Sequence, residues 1–170
     1  RALLLAITAF SLGHAISLGL SVTGVLAVPV APTETLIALS VVLVAREGLA
    51  LAGASDPSAP SSSPSPSASL LRRAPFLVSA IFGLVHGLGF ASALGDRGFP
   101  REGLARALFA FHVGIEAAQL LIVAAVGLVF WFISSRAEAF ALSLRTAGLY
   151  AIGTGGAFWC CERVMTVWRG

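Results

Sequence analysis

The sequence predicts an all-α fold, a polytopic transmembrane helix bundle of about five spans. Two observations predict it. Of the 170 residues, 57% are hydrophobic and only 11% charged, with a mean hydropathy of +0.92; a soluble domain carries roughly a quarter charged residues and could not solvate this surface. The apolar residues also fall into five long runs parted by short turn segments, and a helical crossing needs roughly 20 residues, so five spans nearly exhaust the chain.

In chain order, the first span is expected over about 2–28, closed by Pro29 and Pro32, and the second over about 33–54, with Thr33-Glu34-Thr35 as its capping residues. Residues 55–70 are Ser/Pro-rich and read as a disordered linker outside the bilayer. Pro75 opens a glycine-rich third span to about 94; Gly95 to Pro100 is a polar turn, and the fourth run, about 104–133, is long enough to need tilt or a kink. After Ser134-Ser135-Arg136 a fifth span covers about 139–164, with Trp159 and Trp168 as interfacial anchors. All of this makes one membrane domain, 1–170, with the glycines of spans three and five marking close contact between helices.

All 11 basic residues are arginine and sit mostly near span ends, which is membrane anchoring and no nucleic-acid footprint. They divide between the two faces, so the positive-inside rule gives no orientation. The chain opens without a charged leader or small-residue cleavage pattern, so no signal peptide is expected. Cys160 and Cys161 are neighbours on a helix, splayed about 100° apart, so no disulfide joins them; they read as packing or as soft ligands. There is no nucleophile–base pair, phosphate-binding glycine loop or Cys/His zinc spacing, which argues against an enzyme.

The informative residues are the polar ones inside spans, because a charge at a helix centre costs roughly 2.5–3.5 kcal/mol on insertion scales and needs a partner, a cavity or a function. Thr8, Ser11, His14, Ser17 and Ser21 form one stripe on span one. Either the hydroxyls bond back to their own helix and His14 makes one interhelical hydrogen bond, or the stripe faces a pathway. His86 stands among Gly83, Gly87 and Gly89, where a ligand or a neighbouring backbone can come close. On span four His112, Glu116 and Gln119 share a face, with Glu116 about 18 Å into the span. An imidazole and a carboxylate there suit a divalent metal or a proton relay; the alternative is a neutralised Glu116 bonded to His112 or His86. Thr33, Ser40 and Glu47 recur at heptad spacing on span two, while Arg46 and Glu162 read as interfacial or paired charges.

Four segments carry a family resemblance: TAFSLGHAISLGLSV, ETLIALSVVLVARE, FGLVHGLGFASAL and FHVGIEAAQ. In order and spacing they resemble the HupE/UreJ group of small polytopic membrane proteins associated with nickel handling for hydrogenase and urease, over nearly the whole chain apart from the linker. The resemblance implies a divalent-metal permease or metal-delivery accessory protein, with Ni²⁺ or another divalent cation as the candidate substrate; the sequence assigns no cofactor with certainty. Its candidate metal residues are His14, His86, His112 and Glu116, supported by Ser17, Glu34, Glu47 and Gln119. It also implies a further helix before Arg1, and His112 stands where the family more often has asparagine.

The expected surroundings are a lipid bilayer, of a bacterial inner membrane or an organelle, and other membrane subunits. The alternative function is a non-transporting assembly subunit of a larger membrane complex, with the histidines contacting a haem or other pigment.

Overall fold

The computed structural model describes residues 2–53, 74–95 and 102–169. They form five helices: α1 (Ala2–Val22), α2 (Val30–Gly53), α3 (Pro75–Gly95), α4 (Leu104–Ser134) and α5 (Glu138–Arg169), with no strand among the described residues. Three of them, α1, α2 and α4, are long and apolar enough to cross a membrane; α3 carries a shorter apolar stretch, Pro75–Ala91. Helices suit this setting because each closes its backbone hydrogen bonds internally where lipid offers none. The Ser/Pro-rich linker, Arg72, Arg73 and the turn at 96–100 lie outside the described residues.

Two boundaries differ from the sequence expectation for a local reason, and α5 also runs past its expected end near 164 to Arg169. Helix α1 stops at Val22, well before Pro29, because Gly24 takes a positive φ of 77°. A left-handed residue there folds the chain back, with the Gly24 amide donating to the Ser21 carbonyl at 3.0 Å and the Leu26 amide to that of Leu20 at 3.0 Å. Helix α2 begins earlier than expected, at Val30, with Pro32 accommodated in its first turn, where a proline lacks no needed hydrogen bond. Thr33 and Thr35 therefore do not cap. Their hydroxyls donate backwards to the carbonyls of Pro29 (2.8 Å) and Ala31 (2.9 Å).

Packing follows two close helix pairs, α1 with α3 and α2 with α5, joined by contacts of α2 with α3 and of α4 with α1 and α5. The α1–α3 pair is a backbone-to-backbone contact. A Cβ on Gly83 would run into the Phe10 carbonyl oxygen, one on Gly87 into the Ser17 hydroxyl and the His14 carbonyl, and one on Gly13 into the Ala80 carbonyl oxygen. Only glycine permits this approach, and Gly83 and Gly87, four apart, lie on one face of α3. In the α2–α5 pair, Gly156 is buried against Val41 and Val42. Leu18, Ala38 and Ala45 are almost completely buried between helices.

Helix α4 is different, since none of its residues is buried and Phe109, Leu121 and Trp131 are 73%, 72% and 67% exposed. Such an apolar exterior is what a lipid-facing helix presents. The turn after it is locally secured: the hydroxyls of Ser134 and Ser135 donate to the carbonyls of Trp131 and Phe132, and the Arg136 guanidinium lies 4.5 Å over the Phe132 ring.

The α1–α3 contact makes a clear prediction for stability in detergent. Gly83→Ala pushes a methyl into backbone that cannot rotate away, and should cost about 1–3 kcal/mol of overpacking strain. At Gly127 an added Cβ meets nothing within 4 Å, so Gly127→Ala should shift stability by less than about 1 kcal/mol. Thermal unfolding of both variants checks this, and equal midpoints would contradict the packing described.

Candidate metal-binding cavity

The polar stripe of α1 meets the polar face of α4. Thr8 Oγ1 donates to Glu116 Oε1 at 3.0 Å, Ser11 Oγ donates to Gln119 Oε1 at 3.3 Å, and His14 Nδ1 lies 3.2 Å from His112 Nε2. The shared face of His112, Glu116 and Gln119 is thus turned onto α1, and Glu116 accepts from Thr8, where the sequence suggested His112 or His86. Ser17 is buried and bonds back to the carbonyls of Gly13 and His14. Its role is in the α1–α3 contact.

Hydrogen bonding fixes the imidazole tautomers in their neutral forms. His112 Nδ1 lies 2.7 Å from the Leu108 carbonyl oxygen, which can only accept, so Nδ1 carries the proton and Nε2 is a bare acceptor. His14 Nδ1 must then donate to it, which leaves His14 Nε2 bare. His86 Nδ1 likewise donates to the Phe82 carbonyl at 2.8 Å, leaving its Nε2 bare. His112 therefore stands behind His14 and orients it, as the outer partner of a metal-binding histidine commonly does.

His14 and His86 line one cavity of about 340 Å³ with Glu34 of α2, and Phe10, Phe90, Ile115 and Trp159 complete most of its wall. Phe10 stacks on His14 at 6.3 Å between ring centroids and meets His86 edge-on at 5.3 Å. Phe90 packs against His14 from the opposite helix at 6.0 Å. The cavity is thus largely apolar with a few converging polar groups, the usual make-up of a ligand site. Among the described residues no three His, Cys, Asp or Glu side chains are already drawn together tightly enough to hold a metal ion.

Glu34 is ion-paired: its Oε2 lies 3.1 Å from Arg163 Nη1 of α5. Arg163 Nη2 is also 3.9 Å from Glu162 Oε1. Glu162 lines a second groove of about 400 Å³ with Phe158, Cys161, Met165, Thr166 and Arg169. Cys160 and Cys161 are both free; Cys160 points its sulfur at the Thr35 carbonyl, 3.9 Å away, which is a packing contact between α5 and α2. Glu47 lies 13 residues beyond Glu34, about 20 Å along α2, and is not part of the cavity lining.

Of the residues singled out in the sequence, the structure brings His14, His86 and Glu34 to the cavity, sets His112 behind it, and uses Glu116 and Gln119 to bind α4 to α1. Sequence reasoning missed Phe10, Phe90, Arg163 and the true place of Trp159. The i, i+4 spacing of Phe10 and His14 was a readable signal. Trp159, expected at the interface, lines the cavity wall, about 15 Å before the end of α5 at Arg169. Trp168 is 87% exposed near that end.

An all-α membrane protein with an imidazole- and carboxylate-lined cavity is the class these observations define. The chain belongs to the HupE/UreJ family: residues 1–163 match the family described as HupE / UreJ protein. No curated protein and no solved structure matches it.

The His14–His112 contact should be measurable as coupling. A double-mutant cycle with His14→Ala and His112→Ala, read by equilibrium unfolding in mixed micelles, should give a favourable interaction of about 0.6–1.7 kcal/mol, the range of interhelical hydrogen bonds in membranes. Additive effects would contradict the contact.

Proposed function

We propose that this protein is a multi-pass carrier or delivery protein for a divalent transition-metal cation, Ni²⁺ first among them, and that His14, His86 and Glu34 receive the cation in the aromatic-walled cavity. One observation carries the reading: two imidazoles whose Nε2 lone pairs are left over after all their other hydrogen bonds line the same cavity as a carboxylate. Neutral nitrogen and anionic oxygen donors suit borderline divalent cations. Family membership supports the same direction, since HupE/UreJ proteins suggest an accessory role in nickel or cobalt handling. Choice of nickel over zinc or copper must come from geometry and supply, because intrinsic affinity follows the Irving–Williams order.

In this reading all five helices cross the bilayer of a bacterial inner membrane or an organelle. His112, Glu116, Gln119 and Ser17 act as supports, holding α4 and the His14 ring in place. Glu47 belongs to the far end of α2.

A second reading, a membrane subunit that assembles a larger complex, is favoured by small residues left open on outer faces. Added Cβ atoms at Gly114, Gly127, Gly148 and Gly155 meet nothing within 4 Å, and such positions admit another helix closely. Migration of the purified chain as a lone monomer under mild detergent would argue against it.

Transport is tested with sealed vesicles carrying the full chain and supplied with Ni²⁺. His86→Ala should lower initial uptake at least about tenfold, as loss of a ligand does, and His112→Ala, which only orients His14, should lower it less. Uptake unchanged in His86→Ala would refute the proposed cavity.

A further inference from the structure

The charges around the cavity form a short chain that a packing role does not require. Glu34 faces the aromatic cavity, Glu162 faces the second groove, and Arg163 stands between them, 3.1 Å from one carboxylate and 3.9 Å from the other. The side chains grade outward, with Glu34 27% exposed, Arg163 31% and Glu162 54%. Arg163 Nε is buried and has no hydrogen-bond partner among the described residues. An orphaned buried donor is costly, so the guanidinium is not satisfied in its position on Glu34.

We infer that Arg163 is a built-in counter-cation that holds Glu34 while the cavity is empty and passes to Glu162 when a divalent cation takes Glu34. This inference rests on the cation-binding reading of the cavity. The physical reasoning is competition for one anion. A bare carboxylate in a largely apolar cavity would be expensive, and Arg163 neutralises it. A divalent ion coordinated by His14, His86 and Glu34 brings twice the charge, so the carboxylate exchanges a single guanidinium contact for direct coordination. The released guanidinium needs to travel only a short way, because Glu162 is already beside it. A side-on, two-bond pairing there would use Nε as well as Nη2 and remove the orphaned donor.

No proton or electron moves in this exchange. Glu34 keeps one cationic partner throughout, and the loose 3.9 Å contact of Glu162 with Arg163 becomes a close pair only when the cavity is loaded. Because the two carboxylates face different cavities, the position of Arg163 also reports on one side whether the other is filled.

The test titrates Ni²⁺ into the full chain in lipid nanodiscs and measures affinity by calorimetry, a readout independent of transport. Removing the competitor in Arg163→Gln should tighten Ni²⁺ binding by about twofold to fivefold, the scale of a partly exposed ion pair. Arg163→Lys, which restores a cation, should return affinity toward wild type. Glu162→Gln removes the acceptor for the displaced guanidinium and should weaken binding about threefold or more. If wild type binds but Arg163→Gln binds equally or more weakly, the counter-cation role is wrong and the cavity reading stands. If wild type, shown to be folded, binds no Ni²⁺, both fall. Should Arg163→Gln fail to fold, Glu162→Gln decides alone, and unchanged affinity in it overturns the inference.

Discussion

Everything else in this protein depends on how closely α1 and α3 approach. At Gly13, Gly83 and Gly87 the backbones meet where no side chain fits, and the consequence is chemical as much as structural. His14 is next to Gly13 in sequence, and His86 lies between Gly83 and Gly87. The glycines that bring the helices together therefore bring two imidazoles to one cavity wall. In lipid no hydrophobic effect pulls helices together, so close van der Waals contact and hydrogen bonds must do it, and small residues make both available.

A second layer then sets which imidazole atoms are free. The Leu108 and Phe82 carbonyls each take an Nδ1 proton, and His112 takes that of His14. The i−4 carbonyl is usually occupied by the helix's own ladder, but a carbonyl has two lone pairs and accepts the extra bond. Helix α4, with no buried residue of its own, is tied to the bundle by the polar groups of His112, Glu116 and Gln119 together with the rings of Phe111 and Phe90, 5.6 Å apart. Orientation of the candidate ligand and attachment of the helix are the same set of bonds.

The helical class and the number of helices were legible in the sequence, because length and hydropathy are local properties. The stripe of α1 and the face of α4 were also legible, since three- and four-residue steps determine which side chains share a side. Their mutual pairing was not, because periodicity names a face without naming what it meets. Glu34 was in the supporting set, but its partner Arg163 is 129 positions away in the chain and nothing local connects them. Boundaries failed where one residue overrode composition: Gly24 ended α1 inside an apolar run, and Pro32, expected to stop a helix, sits in the first turn of one. Trp159, expected as an anchor, lines the cavity wall, which its position in the sequence did not announce.

The central claim is that a divalent cation is held by the two imidazoles that the α1–α3 contact places together. X-ray absorption at the nickel edge, on full-length protein carrying one equivalent of Ni²⁺ in nanodiscs, tests it most directly. The account predicts the multiple-scattering signature of two imidazoles with oxygen ligands completing the shell, reduced to one imidazole in His86→Ala. A shell dominated by sulfur, or one without imidazole, would contradict it.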